Sequence, residues 1–263
     1  MKTVSEFRGM KAEGRKISMV TCYDHWSARI IAPSRVDCIL VGDSAAMVMH
    51  GYRDTIPADV QMLRYHVAAV CKGAPEKFVI GDMPFLANRK GLLPAMEAVR
   101  TLMQAGAQAV KIEGAAGNLD LIRHLVESGV PVMGHLGLTP QSVNQLGGFK
   151  VQAKAAADEE QLVRDAIDLE AAGCFAIVIE CVRADLGARV SRQLSIPTIG
   201  IGAGPDTDGQ VLVLQDLLGM KPDFKPKFVR TYLDGYTRLQ EALNRYDDDV
   251  KSGGFPSTQE SYQ

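Results

Sequence analysis

Hydrophobic residues in this chain come in short blocks rather than long spans. Apolar runs of four to seven residues occur at 17–22 (ISMVTC), 37–42 (DCILVG), 78–81 (FVIG), 108–113 (QAVKIE), 130–134 (VPVMG), 174–180 (CFAIVIE) and 196–201 (IPTIGI), with an eighth candidate at 211–214 (VLVL). They are rich in Val and Ile and do not alternate with polar residues, the pattern of strands buried on both faces. Between them stand longer segments with helical punctuation. DVQMLRYHVAAVCKG closes on Gly73 and LLPAMEAVRTLMQAG on Gly106, both suited to a C-terminal cap. NLDLIRHLVESG runs from Asn118, a candidate N-cap, to Gly129, and DEEQLVRDAIDLEAAG carries its acids in the first turn and ends at Gly173. RADLGARVSRQLS separates the sixth and seventh blocks.

Strand and helix therefore alternate along the chain, the grammar of an α/β fold with a parallel sheet. A doubly wound open sheet and a single (β/α)8 TIM-type barrel compete. Eight units in about 250 residues fit the barrel, which is expected over residues 1–250 with a polar C-terminal tail at 251–263. Two stretches resist this reading. The segment between Ile201 and Val211 is shorter than the roughly dozen residues a crossover needs, so either the seventh helix is vestigial or VLVLQDLLG is itself helical. Pro33 should end or kink the first helical stretch after the first strand.

Composition narrows the function classes. A net charge of −2, from 29 basic and 31 acidic residues, gives no electrostatic case for a nucleic-acid or anionic-membrane partner. No apolar run reaches the ~18 residues of a membrane helix, and the basic N-terminus is not followed by the apolar core of a secretory signal. The five cysteines form no C-x-x-C pair, which points to a reduced, cytoplasmic protein with structural thiols.

Four apolar runs end in an acid: Asp43 in VGDS, Asp82 in GDMP, Glu113 in KIEG and Glu180 in IEC. In parallel α/β folds ligands bind outside the carboxyl ends of the strands, so these acids should converge there. Four carboxylates in one mouth repel one another, and a hard divalent cation with oxygen ligands, Mg²⁺ best of all, relieves that repulsion. Such an ion takes one or two protein carboxylates, which leaves an acid free for proton transfer. The alternative for each acid is an N-cap of the next helix. Lys111 lies two residues before Glu113 and so shares its face, either as a structural ion pair or as a functional one. Glu180 follows Ile177, Val178 and Ile179, apolar neighbours that disfavour its charge and would make it a better base near neutral pH. His135 in MGHLGLTP could bond a substrate or serve structure, whereas His50, His66 and His124 read as surface or helix positions. No H-E-x-x-H or Cys/His cluster supports zinc. GIGAGPDTDG lacks the P-loop lysine and reads as a tight turn close to the site, and LGGF (146–149) as a turn or a lid hinge.

ILVGDS, YHVAAV, GDMPF, AGAQAVKIEG, VPVMGHLGLTPQSVNQLGGFKVQ, IVIECV, IPTIGIGAG and DGQVLV occur in this order over almost the whole chain. Together they closely resemble the ketopantoate hydroxymethyltransferase family. The resemblance implies a barrel of the phosphoenolpyruvate mutase/isocitrate lyase type and a cytoplasmic homo-oligomer, often a decamer. It implies transfer of the one-carbon unit of 5,10-methylenetetrahydrofolate to 3-methyl-2-oxobutanoate, giving 2-dehydropantoate for pantothenate synthesis with Mg²⁺. By motif it makes Asp43 and Asp82 metal and substrate positions, Ser44 and Lys111 substrate contacts, Glu113 a metal-associated acid and Glu180 the proton acceptor. The chain departs from the family at Ala45-Ala46, where Leu-Gly is usual, at Arg183, where Pro is usual, and in WSARIIAPSR, the first helix. A metal-assisted C–C lyase or phosphonate mutase acting on a related 2-oxo acid, and a non-catalytic barrel, are the competing readings.

Overall fold

A computed structural model describes residues 1–223 and 226–262. Eight parallel strands, β1 (Ile17–Thr21), β2 (Cys38–Val41), β3 (Phe78–Asp82), β4 (Ala109–Glu113), β5 (Val132–Gly137), β6 (Ala176–Glu180), β7 (Thr198–Ile201) and β8 (Gly209–Leu212), pair in chain order, and β8 closes on β1. Helix α1 (Val4–Ala12) precedes the first strand. Helices α2 (His25–Ile31), α3 (Ala45–Val48), α4 (Val60–Gly73), α5 (Leu92–Gln104), α6 (Leu119–Glu127), α7 (Val143–Leu146), α8 (Ala156–Ala171) and α9 (Ala184–Gln193) occupy the crossovers. This is the expected (β/α)8 barrel.

Local chemistry sets the helix ends. Thr3 and Glu6 form a capping box on α1, while the Asp24 and Asp59 carboxylates accept from Ser27 N and Met62 N to start α2 and α4. Helix α2 ends at Ile31 with Ala32 as its C-cap, and Pro33 follows, where the missing N–H cannot continue the hydrogen-bond ladder. Asn118 stands at the N-cap of α6 but makes no capping bond. Its side chain instead donates to Glu113 O and Gly114 O, both at 2.9 Å.

The seventh crossover has no helix. Residues 202–208 return directly to the start of β8, where Asp208 O accepts from Ile17 N at 2.9 Å and the Asp208 carboxylate accepts from Thr198 N and Lys11 Nζ at 2.8 Å each. Strand β8 starts two residues before the expected VLVL. Gly209 and Gln210 do not read as strand, yet a Cβ at Gly209 would collide with Ile17 O. Leu214 already belongs to α10 (Leu214–Leu217).

The chain divides into two compact units, Met1–Leu212 and Val213–Gln263. The first holds the whole barrel. The second holds α10 and α11 (Gly235–Ser252). The sequence placed the barrel's end at residue 250, but the last strand ends at Leu212 and residues 251 and 252 continue α11. A helix reads alike in sequence whether it belongs to the repeat or follows it. Residue 263 of the expected tail lies outside the described residues. Tyr236, Leu239, Leu243, Tyr246 and Val250 are exposed along α11 at alternating spacings of three and four.

Alternate residues of each strand enter the barrel. Its lower layers are apolar: Met19, Leu40, Phe78, Ile80, Met133, Val178 and Val211 belong to one buried cluster. Helix α1 adds Phe7 and Met10 to this cluster, with the Phe7 ring edge-on to Phe78 at 5.2 Å. Phe7→Ala empties a large buried volume and is expected to cost about 3 kcal/mol of stability. Denaturant titration checks this, and a loss under about 1 kcal/mol, the scale of a conservative core swap, would show that α1 does not plug the barrel.

Candidate active site

The same period of two that fills the barrel with apolar side chains carries ionisable ones to its upper layer. Asp82 follows Ile80 by two residues, Lys111 and Glu113 follow Ala109, His135 follows Met133, and Glu180 follows Val178. All five therefore enter the barrel at the carboxyl ends of β3 to β6. Asp82 is 0% exposed, Lys111 3% and His135 2%, so their charges must be matched by one another. Asp43 and Ser44 come in from the turn after β2. None of the four acids is an N-cap: Ser44 holds that position on α3, and Asp82, Glu113 and Glu180 are the last residues of their strands.

One network joins these groups. Lys111 Nζ lies 2.9 Å from Asp82 Oδ1 and 3.3 Å from Glu113 Oε1. His135 bridges two acids, with Nδ1 3.3 Å from Glu113 Oε1 and Nε2 3.2 Å from Glu180 Oε2. Asp43 N donates to Asp82 Oδ2 at 3.0 Å. Gln141, in the turn after β5, ties three strand ends together. Its backbone N–H donates to Glu113 Oε2 at 3.1 Å, and its side-chain amide donates to Asp43 Oδ2 at 3.0 Å and Met83 O at 2.9 Å. Tyr23, from the turn after β1, has its hydroxyl 2.8 Å from Ser44 Oγ.

The electrostatics follow from this geometry. Burial pushes the Asp43 carboxyl well above the usual carboxylate range, and the Asp82 and Glu113 charges add to it. Burial also raises Asp82, although Lys111 opposes the change. Burial works against the charge on Glu113 too, but Lys111 and the His135 hydrogen bond outweigh it and hold this acid below its ordinary value. For His135, burial and Lys111 favour the neutral ring, yet the bonds to Glu113 and Glu180 prevail and lift it to about 9. His135 thus stands among three charged groups: its Nδ1 is also 3.2 Å from Lys111 Nζ, and its Nε2 faces Glu180 without a well-aligned hydrogen bond.

With every group ionised, four carboxylates face two cations, Lys111 and His135, a surplus of two negative charges. Asp82 Oδ1 touches Lys111 without a well-aligned hydrogen bond and has no other hydrogen-bond partner. A raised Asp43, an under-satisfied Asp82 oxygen and a twofold charge surplus fit one hard divalent cation. Among the described residues no three His, Cys, Asp or Glu side chains are grouped to hold an ion unaided. Both oxygens of Glu113 are already engaged by Lys111, His135 and Gln141.

Every residue expected from sequence, Asp43, Ser44, Asp82, Lys111, Glu113 and Glu180, lies at this one end of the barrel. The surroundings of Glu180 differ from expectation. Ile177 and Ile179 point to the opposite face of β6, and the group that meets the carboxylate is His135 from β5. His135 itself had two open readings in sequence, and Gln141 and Tyr23 carried no periodic signal because they stand on loops.

Among proteins of known identity, the family model described as ketopantoate hydroxymethyltransferase matches residues 1–258. A 3-methyl-2-oxobutanoate hydroxymethyltransferase of Bdellovibrio bacteriovorus is 58% identical over 262 residues, covering 100% of both chains. One of Coxiella burnetii is 56% identical over 252 residues, covering 95% of each. In fold, the chain is similar to phosphonopyruvate hydrolase in complex with oxalate and Mg²⁺ (TM-score 0.63, 12% identity, 99% of this chain and 93% of that one). It is similar also to 2,3-dimethylmalate lyase, a member of the PEP mutase/isocitrate lyase superfamily (TM-score 0.62, 16% identity, 100% and 93%). These two likenesses bear on the barrel alone, while the full-length identities bear on the family. The chain belongs to the ketopantoate hydroxymethyltransferase family and is an enzyme, a hydroxymethyltransferase built on a (β/α)8 barrel.

Proposed function

We propose that the protein transfers a hydroxymethyl group from 5,10-methylenetetrahydrofolate to C3 of 3-methyl-2-oxobutanoate, forming 2-dehydropantoate for pantothenate biosynthesis in the cytoplasm. The observation that carries this reading is the upper layer of the barrel, where a buried lysine and an imidazolium are outnumbered by four connected carboxylates. Asp43 and Asp82 would hold Mg²⁺, with Glu113 at its margin, and the ion when bound would act as a Lewis acid on the carbonyl of the 2-oxo acid.

The residues divide the remaining work. Glu180 is the outermost acid of the network, its side chain 16% exposed against 5% for Glu113. It takes the proton from C3. His135 holds Glu180 through Nε2 and fixes the direction of its carboxylate. Lys111 offsets the charge that grows on the substrate oxygen as the proton leaves, a donor already in place before the reaction starts. Ser44, steadied by the Tyr23 hydroxyl, contacts the substrate carboxylate. The electron pair released at C3 forms the new C–C bond to the one-carbon unit and water supplies the hydroxyl oxygen, while both bonds from that carbon to the folate nitrogens break and those two nitrogens take up the C3 proton and one proton of the water. The experiment is proton exchange at C3 in D₂O with Mg²⁺ and without folate, followed by NMR. The reading requires exchange under these conditions, and its complete absence from a fully folded protein would contradict it.

Gln141 orients Asp43 from outside the reacting group. Gln141→Leu removes both side-chain donors and keeps the backbone bond to Glu113. The expected result is divalent-cation affinity weakened by about tenfold or more, read by Mn²⁺ titration, with activity recovering at high metal. Unchanged affinity would assign Gln141 a packing role only. The homo-oligomer implied by the family is supported by the exposed apolar stripe of α11, whose three-and-four spacing is that of a helix seam. A light-scattering mass equal to a single chain would contradict it.

A further inference from the structure

Two histidines that the reading above leaves without a role connect to the Ser44 hydroxyl. Ser44 Oγ lies 2.8 Å from the hydroxyl of Tyr23, a residue only 1% exposed. A Cβ on Gly42 would stand 3.0 Å from the same Ser44 oxygen, so the hydroxyl is closely packed there too. The Tyr23 backbone takes part in a second set of bonds. His66 Nδ1 is 2.5 Å from Tyr23 O, and His66 Nε2 is 2.9 Å from His50 Nε2.

The direction of these bonds follows from the carbonyl, which only accepts, so His66 donates from Nδ1. In the neutral ring that leaves the lone pair on Nε2, and His50 donates to it from its own Nε2. His50 lies just past α3, the short helix that Ser44 opens, and its backbone N–H donates to Ala45 O at 3.3 Å. The turn that carries Ser44 is therefore fastened to Tyr23 at both ends, at Ser44 through the phenol and at His50 through the His66 ring. The anchor is rigid. His66 stands on α4, which buries Leu63, Val67 and Val70. This helix approaches the segment after Tyr23 so closely that a Cβ on Gly73 would collide with His25 O.

We infer that His66 is a positioning residue for this reaction, with His50 as its outer support. Through Tyr23 the pair fixes where the Ser44 hydroxyl stands to receive the carboxylate of the 2-oxo acid. The inference rests on the proposed function, which gives Ser44 that contact. A donor already in place loses less freedom when the substrate binds, so the gain appears as affinity. Proton removal by Glu180 does not pass through these bonds, and the rate at saturating substrate should not depend on them.

The test is folate-free C3 exchange with Mg²⁺ in His66→Leu, His66→Asn, His50→Leu, Ser44→Ala and the double variant Ser44→Ala/His66→Leu, each checked for folding by its melting curve. Asn places an amide donor where Nδ1 stood and keeps the bond to Tyr23 O. The expected KM for 3-methyl-2-oxobutanoate rises about three- to tenfold in His66→Leu and stays near wild type in His66→Asn. It rises less in His50→Leu, because His50 is exposed and water can replace its bond. The maximal exchange rate stays close to wild type in these three. Ser44→Ala raises KM about tenfold or more, and adding His66→Leu to it raises KM no further, because the histidine acts through Ser44. An unchanged KM in folded His66→Leu, or a rise that adds in full to that of Ser44→Ala, would overturn the positioning role. Should His66→Leu fail to fold, His50→Leu carries the same cycle and is judged by the same two results. A wild-type protein that neither exchanges the C3 proton nor binds the 2-oxo acid in direct titration would instead overturn the proposed function, and this role with it.

Discussion

A Glu180→Gln protein is expected to bind 3-methyl-2-oxobutanoate and to exchange its C3 proton about 10²–10⁴-fold more slowly than wild type. The substitution keeps the shape of the side chain and leaves an oxygen that can still accept from His135 Nε2, now 3.2 Å from Glu180 Oε2. It removes the ability to take a proton. If Glu180 is the base, substrate KM should change little and the rate should fall, because only the transition state loses an interaction. His135 is poorly suited to replace it, since Glu113 and Glu180 lift its pKa to about 9 and favour the protonated ring. Exchange at the wild-type rate would remove Glu180 from this role.

The second large effect is that of the cation. Chelation of divalent ions is expected to reduce both exchange and hydroxymethyl transfer by about 10³ or more, the scale of several kcal/mol of lost charge stabilisation. Without the ion, burial and the neighbouring charges keep Asp43 well above its usual range, so a proton competes with the ion for this carboxylate. Lys111 still pairs with Asp82 and Glu113, so the fold of the upper layer should persist. Restoring Mg²⁺ should restore both reactions and also raise the melting temperature, since the ion binds only the folded chain. Exchange that survives exhaustive chelation would contradict the role given to Asp43 and Asp82.

Much of this architecture is legible in sequence because strand direction and side-chain period are both simple. An acid at the carboxyl end of an apolar run has to lie at the mouth of a parallel barrel, so Asp82, Glu113 and Glu180 could be placed without coordinates. Lys111 could be joined to Glu113 by its spacing of two. What failed was anything that depends on neighbours from another strand. Glu180 looked apolar in its own sequence because adjacent strand residues face opposite ways, and its partner, His135, comes from β5. Gln141 binds Asp43, 98 residues away in the chain, from a turn with no periodic signal. Asn118 read as a cap by residue type, while its amide is spent on Glu113 O and Gly114 O. The start of β8 was hidden because a glycine required by the close approach of β1 does not look like strand.

The central claim is that Asp43 and Asp82 share one cation while Glu180 stays off it and faces the carbon to be deprotonated. A crystal structure with Mg²⁺ and 3-methyl-2-oxobutanoate tests this most directly. The account predicts a single ion ligated by Asp43 and Asp82, with C3 of the substrate turned toward Glu180. An ion ligated by Glu180, or a substrate whose C3 points away from it, would contradict the account.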